Sequence, residues 1–158
     1  MSERADAEDK RNSEQRDGSG TDPRVGSDEA GKGPVLGPMV AGAVRADPAV
    51  LPDAVDDSKR LTRARRESIA AALRDREAVA IGIAVVSTDR IDDPETDMNS
   101  LTVAAQAEAI TAVARDGDTA VVDAGDVDAA RFGRRVRSGV GSAGPSIDVR
   151  AEHGADAA

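Results

Sequence analysis

Residues 26–38 read Gly-Ser-Asp-Glu-Ala-Gly-Lys-Gly-Pro-Val-Leu-Gly-Pro, and they carry more chemical information than any other part of the chain. An adjacent acid pair, Asp28 and Glu29, runs directly into a glycine-rich turn that contains Lys32. Two carboxylates with no basic residue between them suit a hard divalent cation. Glycines beside a cation let backbone N–H groups approach a phosphate or sugar closely. The stretch therefore predicts a metal site beside a phosphodiester site.

The composition narrows the kind of metal site that this chain can build. The 158 residues, 39% of them hydrophobic, are enough for one domain with a real core. The chain contains no cysteine and a single histidine, His153, which excludes disulfides, thiol catalysis and multi-histidine zinc sites. Any metal must therefore be held by oxygen, which favours Mg²⁺ or Mn²⁺. Phe132 is the only aromatic residue of the Phe, Tyr and Trp class, so base stacking on aromatic side chains is nearly excluded.

The net charge of −9 indicates a protein adapted to strong salt. Acidity would normally argue against a nucleic-acid partner, but severe screening in strong salt weakens that objection. No apolar stretch is long enough to span a membrane, and no apolar region follows Met1 as a signal peptide requires. We expect a cytoplasmic protein without membrane association.

The chain divides into an acidic tail and one domain. Residues 1–24 are almost free of apolar side chains, which predicts a disordered tail that accounts for part of the charge. Residues 25–158 form the predicted domain. Its expected strands are 25–27, 35–44, 78–86, 119–122 and 147–151, its expected helices are 58–76, 100–114 and 128–138, and a turn is expected at 142–145.

This order of elements predicts an α/β fold with a sheet flanked by helices, its later strands mostly parallel. Ligands of such sheets gather at the carboxyl ends of the strands. Asp28, Asp123 and Asp156 each sit just after a predicted strand, so three separate stretches could direct carboxylates to one point.

A phosphate-binding P-loop is the main competing interpretation of the opening stretch. Gly26 and the Gly31–Gly33 segment approach that pattern, but Gly33 stands where Ser or Thr should hold Mg²⁺. A P-loop would also place Asp28 and Glu29 among the amides that bind phosphate, where their charge repels the ligand. We therefore rank a nucleotide hydrolase well below a metal-dependent nuclease.

The opening stretch resembles the first motif of ribonuclease HII, especially its archaeal form. Three later stretches agree and keep the family's order: Asp57-Ser58-Lys59-Arg60-Leu61, Val121-Val122-Asp123-Ala124-Gly125-Asp126-Val127, and Ala151-Glu152-His153-Gly154-Ala155-Asp156. The resemblance covers residue 25 to the end of the chain. It implies a ribonuclease H-like fold, with a mixed sheet flanked by helices.

The resemblance also implies a reaction and the residues that perform it. The reaction is hydrolysis of the RNA strand of RNA/DNA hybrids on the 5′ side of a ribonucleotide, by a two-metal-ion mechanism with Mg²⁺ or Mn²⁺. The implied catalytic and metal-binding acids are Asp28, Glu29, Asp123 and Asp156. Four carboxylates suit such ions, and no His or Cys is needed. The substrate would be a hybrid or a ribonucleotide-containing duplex, and we expect a monomer.

The same resemblance assigns the substrate contacts. Gly31, Lys32 and Gly33 correspond to the family's Gly-Arg-Gly element, which reads the 2′-hydroxyl that distinguishes RNA from DNA. Lysine in place of arginine loses a bidentate fork and keeps the charge. Ser58 and Lys59 resemble a phosphate-contacting pair. The basic residues around them either contact the duplex backbone or form a salt-bridged solvated face.

Several other polar residues have a simpler interpretation. Asn99 is expected to cap the helix that starts at Ser100, and Asp126 to cap the helix after it. We expect Glu152 and His153 to lie at the surface. The run Arg131, Arg134, Arg135 and Arg137 is expected to be a solvated helix face.

The chain departs from the family pattern at its end. The family continues beyond the fourth acidic segment with further helices and a tyrosine that stacks at the RNA–DNA junction, and this chain contains no tyrosine. Gly154 stands where the family usually has a basic residue. We therefore expect a domain incomplete at its C-terminus, lacking the family's C-terminal helices, with Asp156 frayed and activity impaired. A non-catalytic hybrid-binding fragment is the alternative function.

Overall fold

The computed structural model describes residues 22–33 and 36–154. Five strands form one mixed sheet: β1 Arg24–Ala30, β2 Met39–Ala46, β3 Ala80–Val86, β4 Thr119–Asp123 and β5 Asp148–Glu152. Their order across the sheet is β3-β2-β1-β4-β5. β1 pairs antiparallel with β2 and parallel with β4, β2 pairs antiparallel with β3, and β4 pairs parallel with β5. The predicted α/β class is confirmed, and so is the parallel pairing of the later strands.

The helices are α1 Arg63–Arg74, α2 Thr88–Ile91, α3 Met98–Thr111 and α4 Ala129–Ala143, with short 3-10 turns at Pro48–Val50 and Ser58–Arg60. α3 packs on β1, β2 and β3, whereas α4 packs on β5 and on α3. No helix within the described ranges has the length and apolar character that crossing a bilayer requires.

The core lies between the sheet and the pair α3 and α4. Alternate residues of the strands point into it, including Val25, Met39, Ala41, Ala84, Ala120 and Val122, and Phe132 of α4 is fully buried. The approach of α3 to β3 is close, since a Cβ at Gly82 would lie 2.1 Å from the Ala109 carbonyl oxygen. On the opposite face the described residues leave the sheet largely open, with Ile83 and Val85 exposed by 56% and 59%.

An ion pair lies at the end of the sheet where β1 and β4 begin. Arg45 donates from Nε to Asp118 Oδ2 at 2.7 Å and from Nη2 to Oδ1 at 3.0 Å. The Arg115 amide adds a third hydrogen bond at 2.8 Å. Burial opposes the charged form of Asp118, but the hydrogen bonds from Arg45 and Arg115 outweigh it and lower the pKa of this carboxyl.

The predicted helix at 58–76 was wrong at its start. Residues 58–60 form a separate 3-10 turn capped by Asp57, and α1 begins at Arg63 behind the Thr62 cap, whose hydroxyl accepts from the Arg65 amide. Asp57 and Thr62 each cap a separate helical segment, so a short 3-10 turn precedes α1 instead of one continuous helix.

Other boundaries also differ from those predicted. Asp97, not Asn99, caps α3, and Asp128, not Asp126, caps α4. α4 continues to Ala143 and so covers the first half of the predicted turn at 142–145. Within the described residues β2 starts at Met39 rather than at 35, since Gly37 and Pro38 precede it and proline cannot donate to a strand ladder. The predicted tail lies outside the described residues except for 22–24, of which Arg24 opens β1.

Candidate active site

Asp28 and Asp123 lie side by side on the open face of the sheet. The last paired positions of the β1–β4 ladder are Ser27 and Val122, so the next residue of each strand carries a carboxylate. Both acids line a shallow groove together with Gly26, Gly42, Val44 and Val121. The parallel register thus brings together two of the predicted acids from stretches that are distant in sequence.

Glu29 points to the other face, because successive side chains of a strand alternate. There it meets α3: Gln106 Nε2 donates to Glu29 Oε2 at 2.5 Å. Lys32 Nζ lies 3.6 Å from Glu29 Oε1, and the Glu29 side chain is 10% exposed. Burial raises the pKa of Glu29 above its ordinary value, and the nearby charges of Asp28 and Asp123 add to the rise, while Gln106 and Lys32 oppose it.

The glycine-rich turn is tied to the loop that follows β4. Gly31 has a φ of 86°, and a Cβ there would lie 2.8 Å from the Pro38 carbonyl oxygen, so the position requires glycine. Lys32 Nζ donates to the Gly125 carbonyl at 2.8 Å. A Cβ at Gly125 would lie 2.3 Å from that Nζ, so the absence of a side chain at Gly125 makes room for the lysine. The turn leads into strand β2 rather than into a helix, which argues against a P-loop.

Asp123 is held from the end of β5. The Gly154 amide donates to Asp123 Oδ1 at 2.9 Å, and Gly154 adopts a φ of 68°. Glu152 is the ladder partner of Asp123 and is exposed, as predicted. One oxygen of Asp123 is therefore engaged by the backbone.

Ser58 and Lys59 lie in the exposed 3-10 turn before α1. Arg66 donates to the carbonyls of Ser58 and Leu61, so it fastens this turn to the helix. Arg63 pairs with Glu67 at 2.8 Å. Parts of the basic segment are therefore engaged within the chain, and its contact with a duplex stays a prediction.

The second basic run is largely paired with neighbouring side chains. Arg131 pairs with Asp126 at 2.5 Å, Arg135 donates to Ser100 at 2.8 Å, and Arg137 lies 3.8 Å from Asp148. Asp126 therefore serves an ion pair on α4, and the expectation of a helix cap there was wrong.

The family model described as Ribonuclease HII matches residues 25–158. The chain belongs to the ribonuclease HII family. The ribonuclease HII of Haloarcula marismortui is 61% identical over 133 residues, which cover 84% of this chain and 61% of that protein. The ribonuclease HII of Halobacterium salinarum strain R1 is 57% identical and is covered to 60%. These relatives come from salt-loving archaea, in line with the acidic composition.

Two solved structures share the fold. The ribonuclease HII in the PCNA:RNase HII complex from Archaeoglobus fulgidus has a TM-score of 0.71 and 32% identity, with 84% of this chain and 63% of that chain covered. The ribonuclease H2 from Pyrococcus horikoshii OT3 gives the same TM-score and identity, with 85% and 64% covered. The chain spans about three fifths of the length of the curated relatives that it matches.

The donor chemistry of this candidate site fits a hard divalent ion. Asp28 and Asp123 offer carboxylate oxygens beside an open groove, where a cation could keep water ligands. Among the described residues, however, no three carboxylate or histidine side chains are arranged to hold a metal ion. Asp28 and Glu29 lie on opposite faces of the sheet. Asp156, the fourth predicted acid, lies outside the described residues.

Sequence reasoning missed Gln106 and the carbonyl of Gly125. Gln106 is fully buried in a helix whose other buried residues are mostly apolar, including Leu101, Val103, Ala105, Ala109 and Ile110. A long amide at a core position of such a helix is a usable signal, because a buried amide requires a hydrogen-bond partner. Gly125 gives no comparable signal, since its role is that of a backbone carbonyl.

Proposed function

We propose that this chain carries the catalytic site of an endoribonuclease that hydrolyses the RNA strand of RNA/DNA hybrids on the 5′ side of a ribonucleotide. The observation that carries the proposal is the placement of Asp28 and Asp123 next to each other on the open face, at the ends of the paired stretches of β1 and β4. Membership of the ribonuclease HII family supports the same activity.

In this proposal Asp28, Glu29, Asp123 and Asp156 hold Mg²⁺ or Mn²⁺. Bound divalent ions would activate water and stabilise charge on the phosphate oxygens during an in-line displacement. The groove is open, and apart from the two acids it is lined by small or branched residues, so no bulky side chain would obstruct a substrate backbone there. Asp28 and Asp123 therefore meet the substrate directly, whereas Glu29 acts from the covered side.

The turn at Gly31, Lys32 and Gly33 is proposed to recognise the ribonucleotide. Gly31 and Gly33 both have positive φ, and successive backbone N–H groups in turns that use such conformations can form concave binding sites. A sugar 2′-hydroxyl can both donate to and accept from such groups. Ser58 and Lys59 are proposed to contact a backbone phosphate, with the chain acting as a monomer on a hybrid or a ribonucleotide-containing duplex.

Cleavage of a DNA duplex that contains a single ribonucleotide tests the proposal. We expect cutting at that ribonucleotide with Mn²⁺ or Mg²⁺, and none of the matched all-DNA duplex. Asp123→Asn should abolish cutting, whereas Asp148→Asn, on the exposed part of β5, should preserve it. No cleavage by the folded chain with either ion would contradict the proposed activity.

Binding of a hybrid without turnover is the second candidate function. It is favoured by one observation, that no three acids of the described residues are arranged to hold an ion. This function predicts salt-sensitive binding of the hybrid, measured by fluorescence anisotropy, with no strand cut in the same samples. Metal-dependent cleavage would exclude it.

A further inference from the structure

Gln106 is the one long polar side chain that the described core encloses completely. It sits in the middle of α3, a helix that contributes eight buried residues. An amide buried without compensation costs free energy, so a buried glutamine needs a structural reason. The partners of its nitrogen supply that reason.

The Gln106 amide spans the two strands that carry the site's acids. Its Nε2 lies 2.5 Å from Glu29 Oε2 on β1 and 3.5 Å from the Asp123 carbonyl oxygen on β4. A carboxylate can only accept, so the amide must turn its nitrogen to Glu29. The oxygen of the same amide and the hydroxyl of Ser27 are buried without a hydrogen-bond partner among the described residues. The side-chain nitrogen of Gln106 is therefore hydrogen-bonded to the Glu29 carboxylate, while its side-chain oxygen is left without a partner in the described part of the chain.

The two oxygens of Glu29 have different partners. Gln106, a neutral donor on a packed helix, engages Oε2, while the 26%-exposed Lys32 side chain lies 3.6 Å from Oε1. Lys32 donates at the same time to the Gly125 carbonyl at 2.8 Å, which is the shorter of its two contacts. Glu29 Oε2 is therefore held by a hydrogen bond from the core, whereas Glu29 Oε1 has, among the described side chains, only the longer contact to Lys32 and is the oxygen that can take another partner.

We infer that Gln106 is a positioning residue that fixes the Glu29 carboxylate from the covered side of the sheet and leaves Oε1 for a divalent cation. The cation part of this inference rests on the proposed function; the support of Glu29 does not. Gln106 acts through Glu29 and touches no substrate, so its loss should weaken metal binding through that carboxylate. Groups that orient a metal ligand typically contribute about 10–100-fold to metal affinity.

Mn²⁺ binding by the full chain gives the first test, measured by isothermal titration calorimetry. Gln106→Met keeps the volume and removes the amide, and Gln106→Asn keeps the amide but is one methylene too short. We expect each to weaken Mn²⁺ binding about tenfold or more. Thr102→Val is the matched control on the same helix, because Thr102 donates to the Met98 carbonyl and not to an acid. It should leave the affinity within about twofold of the unchanged chain.

The cycle with Glu29→Ala separates positioning from general loss of packing. If Gln106 acts through Glu29, then Gln106→Asn in the Glu29→Ala background should cause no further loss of Mn²⁺ affinity. Full additivity of the two losses, or wild-type affinity in folded Gln106→Asn and Gln106→Met chains, would overturn the inference.

The side-chain amide protons of Gln106 give a readout that needs no metal. In ¹⁵N–¹H spectra of the metal-free chain we expect them to be shifted and slow to exchange, to lose both properties in Glu29→Ala, and to keep them in Asp28→Ala. Unchanged Gln106 signals in Glu29→Ala would overturn the inference. A chain that shows the protected amide but binds no Mn²⁺ would refute the proposed function and leave the support of Glu29 standing.

Discussion

Asp28 and Glu29 are neighbours in the chain but serve opposite faces of the sheet. Asp28 lines the open groove, whereas Glu29 is directed at α3 and contacts Gln106. The two carboxyls consequently have different environments, and burial raises the pKa of Glu29. An acid pair that looks like a single unit in the sequence is thus two carboxylates with separate supports.

The raised pKa of Glu29 has a defined effect on stability. A carboxyl whose pKa is higher in the folded than in the unfolded state favours folding below about pH 4.5, and this contribution is lost as the pH rises through the folded-state value. Glu29→Gln should therefore raise the melting temperature of the metal-free chain by a few degrees at pH 7 and have little effect at pH 4. Glutamine keeps an acceptor for Gln106.

Thermal unfolding of both chains at the two pH values checks this prediction. Asp148→Asn serves as the control, since its exposed carboxylate contributes only surface ion pairs. Equal melting temperatures for Glu29→Gln and the unchanged chain at pH 7 would show that burial of this charge costs nothing.

Gly31 is predicted to be irreplaceable at its turn. Alanine would have to adopt a φ of 86° and would bring its Cβ to 2.8 Å from the Pro38 carbonyl oxygen. We expect Gly31→Ala to lower the free energy of unfolding by about 1–2 kcal/mol or more, measured by urea denaturation. Gly26→Ala is the control, because a Cβ there meets nothing within 4 Å. Equal losses from both changes would contradict this account.

The helices α1 and α3 differ in how much of each is buried. α3 carries eight buried residues, whereas none of the residues of α1 is buried. α1 also has arginines in its first turn, where the helix dipole disfavours cations. Its stability therefore comes from its Thr62 cap and from surface pairs, and little of it from the core.

An ion pair between Arg45 and Asp118 joins β2 to the segment before β4. Removing the arginine would leave Asp118, only 8% exposed, without its charged partner. We expect Arg45→Met to lower the free energy of unfolding by about 3 kcal/mol. Arg63→Met removes the exposed pair with Glu67 and should cost less than about 1 kcal/mol.

Urea denaturation in low and high salt distinguishes the two pairs. The cost of losing the buried pair should persist in molar salt, because ions screen exposed charges far more than buried ones. A loss for Arg45→Met no larger than that for Arg63→Met would indicate that Asp118 is solvated.

The sequence predicted the elements better than their ends. Predicting β3, β4 and α3 required only the local pattern of apolar residues, which is a run in the two strands and a helical spacing in α3. The start of α1 was harder to predict, because both Asp57 and Thr62 can cap a helix. In the structure Asp57 caps the 3-10 turn and Thr62 caps α1. Gly125 could not be found, because its carbonyl matters only once Lys32 has been folded against it.

For the whole molecule the sheet is covered on one side and largely open on the other within the described residues. Ile83 and Val85 lie on the open side together with the groove that holds Asp28 and Asp123. Exposed apolar side chains on a sheet promote association between molecules. The acidic net charge of −9 opposes such association through repulsion at low salt.

Charged substitutions on the open face are predicted to improve solubility at little cost in stability. Ile83→Lys combined with Val85→Lys should change the free energy of unfolding by less than about 1 kcal/mol. In molar salt, sedimentation velocity should show less self-association for this double variant than for the unchanged chain. Val86→Lys is the contrasting variant, because Val86 is 2% exposed and faces α3, and it should prevent folding. Similar effects of the two changes would mean that the open face is covered in solution.

The division of Asp28 and Glu29 between two faces has a consequence for how such a protein can evolve. Changes in the packing of α3 reach the site through Gln106 and Glu29, whereas changes in the groove reach it through Asp28. A change in core packing can thus alter the position of the Glu29 carboxylate without disturbing that of Asp28. A lineage could therefore change its core and its groove as two separate traits, by mutations in non-overlapping sets of residues.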